Sequence, residues 1–263
     1  MFRSLIHRGY RYFSRNFIYS YLYKIESLRK LKHLISNSNL SPEFPLHGDP
    51  IAIESFKLLV KSYKIDCIIE TGTYKGFTTS FFARAFPEIP IYTCELDDFN
   101  YRTARENLKE YRNVHIFKES SPNFIESLIK NKKIGKRPFF YLDAHWFDDW
   151  PLESELNIIF NKLKSAIILI DDFKVPHNAD FSFDKYEDKE CSLDRVIPNL
   201  NRANKYKILF PDYGKEVLKE RRKYQDLVGY ALIFQNLNKN FNKLLGNTTI
   251  TKFYKDKSNL LRR

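Results

Sequence analysis

Five apolar runs in this 263-residue chain end on a carboxylate. The runs lie at 66–71, 90–95, 113–118, 138–143 and 165–171, and the acids are Glu70, Glu95, Glu119, Asp143 and the pair Asp171-Asp172. One carboxylate at a strand end is ordinary capping. Five on one rim repel one another unless a ligand or a cation accepts them. Two chemistries use such a rim. A carboxylate can accept both hydroxyls of a ribose, and several carboxylates without Cys or His suit a hard cation such as Mg²⁺, which takes oxygen ligands.

The first acid opens the turn Glu70-Thr71-Gly72-Thr73-Tyr74-Lys75-Gly76, an E-x-G-x-x-x-G spacing between a strand and a helix. Gly72 permits a sharp turn and close approach of backbone to a ligand. Gly76 starts the helix, where free backbone N–H groups favour an anionic group such as a carboxylate. The dinucleotide fingerprint G-x-G-x-x-G is not met, which disfavours a nicotinamide oxidoreductase. Glu95 follows nineteen residues after Gly76, at the end of the second strand. In register, these signals specify a nucleoside ligand.

The stretch Glu70 to Thr78 resembles the first motif of class I S-adenosylmethionine-dependent methyltransferases, especially the metal-dependent O-methyltransferases of catechol and macrolide-sugar type. Tyr141-Leu142-Asp143-Ala144-His145-Trp146 and Ile168-Leu169-Ile170-Asp171-Asp172-Phe173 are similar to that group's fourth- and fifth-strand motifs. The resemblance covers roughly residues 50–235. It implies that Gly72, Thr73 and the turn through Tyr74 and Gly76 line the methionine part of the cofactor, with Glu70 beneath. It implies that Glu95 grips the ribose and that Glu119 and Ser120 sit near the adenine. Asp143, Asp171 and Asp172 match the three metal-ligand positions, with Asp143 also in the catalytic set. A bound Mg²⁺ would chelate neighbouring acceptor oxygens and lower the pKa of one hydroxyl, which then attacks the methyl group. At one place the chain departs from the catechol pattern. A basic Lys three positions after the first metal Asp is replaced by Trp146, so His145 is the nearest candidate base.

The elements that must carry these residues follow from the same periodicity. Continuous apolar strands alternate with helical stretches near 51–63, 76–86, 98–111, 121–131 and 151–164. Two more strands are expected at 205–210 and 228–235, after a polar and aromatic stretch at 174–191 and a helix near 192–203. That pattern predicts an α/β fold: a doubly wound, mostly parallel, Rossmann-like sheet of about seven strands, the last antiparallel. Residues 21–36 read as an amphipathic helix, and Ser41 to Pro50 as a linker. The expected organisation is a basic helical extension over 1–45, a cofactor-binding domain over 46–235 and a basic tail over 236–263. Trp146, Phe147, Trp150, Phe181, Phe183 and Tyr186 could face a sugar or an aromatic acceptor, or could pack loops onto the sheet.

The formal charge of +12 sits at the two ends. Residues 1–45 and 236–263 carry a net +6 each, and 46–235 balances 29 basic against 29 acidic residues. Nucleic acid is therefore not the default partner; a nucleic-acid methyltransferase and a non-catalytic adaptor remain the alternatives to an enzyme acting on a glycan or small molecule. The aromatic and arginine-rich residues 1–36 could contact an anionic membrane, or the arm could pack on a second subunit. Cys67, Cys94 and Cys191 show neither zinc-ligand nor disulfide spacing and are expected to be buried thiols. With no apolar run of membrane-spanning length and no secretory pattern, the cytoplasm is the expected location.

Overall fold

The computed structural model describes residues 45–144, 150–186, 189–214, 216, 227–237 and 254–262. These belong to one unit, Phe44–Arg263. The expected helix over 21–36 lies outside the described residues. A 3-10 turn at Pro45–Gly48 is followed by α1 (Pro50–Ser62), β1 (Cys67–Thr71), α2 (Phe77–Ala85), β2 (Ile91–Cys94), α3 (Asp98–Leu108) and β3 (Val114–Phe117). The alternation continues through α4 (Ser121–Lys130), β4 (Pro138–Leu142), α5 (Leu152–Lys162) and β5 (Ala166–Ile170). Three two-residue strands, β6 (Phe181–Ser182), β7 (Lys185–Tyr186) and β8 (Lys189–Glu190), precede the short α6 (Leu193–Val196). Then come β9 (Tyr206–Pro211), β10 (Leu227–Val228), β11 (Ala231–Gln235) and β12 (Tyr254–Asp256).

The main sheet runs β12-β9-β11-β5-β4-β1-β2-β3. Strands β1 to β5 are parallel, and β11 inserts antiparallel between β5 and β9. β1, β4, β5 and β11 are buried at every position, as strands covered on both faces must be. On one face Phe56 of α1 stacks on Phe82 of α2 at 4.5 Å and meets Phe139 of β4 edge-on at 4.9 Å. On the other, Phe124 of α4 and Leu156 and Phe160 of α5 close the core over Phe140. Chain direction across the sheet reverses between β1 and β4, so their carboxyl ends border the crevice where ligands bind in such sheets.

The sheet has eight strands rather than seven. Its edge strand β12 lies within the stretch expected to be tail, and pairs antiparallel with β9. Three residues among lysines carry no alternation by which to see it. The expected strand at 228–235 is split at Gly229, where a Cβ would lie 2.2 Å from the Phe173 carbonyl oxygen. The residues before it, β10, pair instead with β6. The helix near 192–203 is shorter than expected, with Ile197–Asn199 forming a 3-10 turn. Residues 45–50, read as linker, are packed: Leu46 is buried, and buried Asp49 caps α1 by accepting from the Ile51 and Ala52 N–H groups.

Candidate functional site

The turn after β1 is built around Gly72. Its φ is +84°, and a Cβ there would stand 2.3 Å from the Asp143 carbonyl oxygen, so only glycine lets the β1 and β4 ends approach this closely. The Gly72 and Thr73 N–H groups donate to Cys94 O at 3.1 and 3.0 Å, tying the turn to β2. Glu70 lies beneath, 1% exposed. One of its carboxylate oxygens accepts from the Thr79 hydroxyl and, at 2.6 Å, from Thr93, which itself contacts Thr73. Burial pushes the Glu70 carboxyl up to about 7, only partly opposed by these two donors.

Glu95, half-buried at the end of β2, accepts from the Tyr74 N–H at 2.7 Å and from the Asp97 N–H at 2.8 Å. Its carboxyl is also raised to about 7 by burial, against those two bonds. The Glu95 N–H donates to Phe117 O, which brings the end of β3, with Glu119 and Ser120, alongside. The next residue, Ser121, is buried in the first turn of α4, and its hydroxyl has no hydrogen-bond partner among the described residues. Around this crevice stand the exposed large apolar side chains Tyr74, Phe77 and Leu96. Gly72, Thr73, Tyr74, Gly76, Glu70 and Glu95 are thus brought together. A nucleoside fits what is present: a half-buried carboxylate with acceptor oxygens, apolar flanks and a buried hydroxyl without a partner among the described residues.

Asp143, Asp171 and Asp172 meet at the ends of β4 and β5. The Asp143 N–H donates to Thr71 O and the Asp171 N–H to Leu142 O, each strand end held by its neighbour. Burial and the charges of Asp171, Asp172 and Asp184 push the Asp143 carboxyl well up. Asp171 moves the other way. Burial raises it, but the charge and hydrogen bond of His47 and the Tyr141 hydroxyl outweigh that and hold it low. His47 Nε2 lies 2.8 Å from Asp171 Oδ2, the oxygen to which Tyr141 also donates. Among the described residues, no three His, Cys, Asp or Glu side chains are placed to hold one metal ion. The donor chemistry suits Mg²⁺, and His47 and Tyr141 both engage Asp171 through Oδ2. His145, the expected base, lies outside the described residues, as do Trp146 and Phe147.

Two members of this cluster escaped the sequence reading. His47 reaches Asp171 across 124 positions, from the stretch taken as linker. Leu46 and His47 both hold left-handed backbone, φ 49° and 52°, a conformation costing about 1–2 kcal/mol per residue outside glycine. Strain of this kind persists where packing over-determines it, and it turns the imidazole toward β5. Its one sequence signal is a histidine between Pro45 and the Gly48-Asp49-Pro50 helix start. Asp184 is carried in by the insertion after β5, where its N–H donates to Asp172 O at 2.8 Å. The insertion's Phe181 is buried against Tyr213 and packs the loop, while Trp150 lies under Arg195 and Phe183 under Lys174. All three cysteines are free and buried.

No family model and no curated protein matches the chain. Solved structures do. A Staphylococcus aureus protein assigned as a caffeoyl-CoA O-methyltransferase aligns with a TM-score of 0.51 at 16% identity, over 83% of this chain and 96% of that one. An O-methyltransferase from Bacillus cereus, solved in complex with SAH, aligns at 0.48 with 15% identity, over 82% and 95%. A Klebsiella pneumoniae protein assigned as an O-methyltransferase aligns at 0.42 with 19% identity, over 78% and 95%. At these identities the likeness to the first establishes a shared Rossmann-like fold.

Proposed function

We propose that the protein is an S-adenosylmethionine-dependent methyltransferase acting on a hydroxyl of a sugar, glycan or other small molecule. The observation that carries this reading is the juxtaposition of Gly72 with Glu70 and Glu95 at the switch point of the sheet. The fold shared with an assigned O-methyltransferase supports it. The cofactor supplies an electrophilic methyl group on a sulfonium cation. The tight turn at Gly72 sets the backbone that faces its amino-acid part, and Glu95 accepts from the ribose hydroxyls. The carboxylates of this rim, otherwise crowded in a low-dielectric setting, favour a cationic ligand.

On the acceptor side, His47 takes the proton of the attacking hydroxyl. The Asp171 carboxylate, which Tyr141 fixes, orients the ring and stabilises the imidazolium that forms. As the oxygen–carbon bond forms, the carbon–sulfur bond breaks and the proton passes to His47. Positioning of the two reactants supplies much of the rate. Methyl transfer from radiolabelled cofactor to a panel of glycosides and phenols tests the reading: His47→Ala should lower kcat by about 10²–10⁴-fold with cofactor affinity unchanged. Turnover should survive chelator; loss on chelation and recovery with Mg²⁺ would place a cation among Asp143, Asp171 and Asp172 and displace His47 from this role. No helix among the described residues is long and apolar enough to cross a membrane, and a cytoplasmic enzyme is proposed.

A further inference from the structure

At the end of the sheet opposite the candidate site, the loops before β1, β4, β5 and β9 are rich in cations, while those before β2 and β3 also carry Glu88 and Glu110. Between α1 and β1 lies Lys64; between α4 and β4 lie Lys132, Lys133, Lys136 and Arg137. Lys164 leads into β5, and Arg202 and Lys205 lead into β9. All eight are exposed, and none is in an ion pair among the described residues. The single carboxylate in the loops before β1, β4, β5 and β9, Asp66, is turned to backbone: it accepts from the Lys136 and Arg137 N–H groups at 2.9 and 3.0 Å.

The loops form one continuous rim. Arg137 Nε donates to Lys64 O at 2.6 Å, and the Ser165 hydroxyl donates to Lys136 O at 3.2 Å. The Asn236 side-chain amide donates to Lys164 O at 2.7 Å and accepts from the Lys205 N–H at 2.8 Å. With neighbouring strands about 4.8 Å apart, the row from β1 across β4, β5 and β11 to β9 is about 19 Å long.

Helix dipoles account for basic residues in the last turns, such as Lys61, Lys130 and Lys162. They do not account for Lys64 and Lys132. Each occupies the position just past a helix that is closed by paired backbone bonds, Lys64 N–H to Lys61 O with Ile65 N–H to Val60 O, and Lys132 N–H to Ile129 O with Lys133 N–H to Leu128 O. Glycine is the usual residue there because the backbone is left-handed. Here the φ values are 51° and 53°, so lysine is held at two places where glycine would be less strained. Two cations kept against local stability point to a use for their charge.

We infer that this rim docks on an anionic phospholipid bilayer, with the strand carboxyl ends facing away from it. Lysine outnumbers arginine six to two along it, which suits diffuse attraction to headgroups more than the bidentate recognition arginine provides. The exposed large apolar side chains among the described residues, Tyr74, Phe77 and Leu96, are all at the other end, so the rim has no aromatic platform for single-stranded nucleic acid.

The test is co-sedimentation of the full chain with phosphatidylglycerol–phosphatidylcholine vesicles. Wild type should bind these vesicles, release in high salt and ignore pure phosphatidylcholine. Each lysine near such a surface is worth about fivefold. With both basic termini intact, Lys64→Gly/Lys132→Gly and, separately, Lys133→Gln/Lys136→Gln/Lys164→Gln should each bind at least about tenfold more weakly. The double glycine variant should melt no lower than wild type, which separates lost charge from lost fold. Failure of wild type to bind, or rim variants binding like wild type, would overturn the inference. So would duplex DNA that captures the protein from vesicles in a rim-dependent way. The rim lies away from the candidate site, so the cofactor reading stands or falls separately.

Discussion

At the scale of single residues, Glu70 does two things at once: it anchors the Gly72 turn through Thr79 and Thr93 and burdens the fold. Its carboxyl sits at about 7 inside the protein against about 4.5 outside. Below the lower value both states are protonated and nothing is lost. As pH rises through the upper one, ionisation in a buried site removes stability, by about 3 kcal/mol at full extent. Both hydroxyl donors use the same oxygen, which glutamine retains. Glu70→Gln should therefore match wild type near pH 4.5 and exceed its stability by about 1–3 kcal/mol above pH 8, read by urea denaturation at each pH. An advantage that shrank with rising pH would contradict this. The acids themselves were legible because each ends an apolar run. His47 was not: a left-handed backbone and a contact 124 positions away leave no periodic trace.

At the scale of elements, the fold was legible wherever burial on both faces writes continuous apolar strands, as in β1, β4 and β5. Where pairing depends on backbone geometry, as at Gly229, or on three residues in a lysine-rich segment, as in β12, composition says little. Helix α1 holds more than core. Phe56, fully buried among Phe82, Phe86 and Phe139, anchors the helix whose capping residue, Asp49, follows the His47 turn. Phe56→Ala should cost about 3–5 kcal/mol in urea denaturation through the cavity it leaves. Asp49 is held in turn by Tyr213 at 2.5 Å, and Tyr213 by Tyr230 at 2.9 Å, with Tyr254 of β12 bonded beyond. The edge strand missing from the sequence reading is thereby linked to the turn that positions the proposed base.

At the scale of the whole molecule, the balance of 29 acidic and 29 basic residues in 46–235 conceals a separation. Parallel strands place their carboxylates at one end and the loops that precede them, lysine-rich before β1, β4 and β5, at the other. The first end is electrostatically suited to a sulfonium cofactor and the second to an anionic surface. A sequence count sums both and reports neutrality; only topology assigns each charge to its end. The cofactor claim underlies the rest and can be measured without knowing the acceptor. Titration calorimetry of the full chain with S-adenosylhomocysteine should show one site, and NAD should give no heat. Glu95→Ala, by removing a charged acceptor worth about 1.5–3 kcal/mol, should weaken that site by about 10- to 150-fold. No binding of S-adenosylmethionine or its demethylated product, or an affinity that Glu95→Ala leaves unchanged, would contradict the assignment of this crevice.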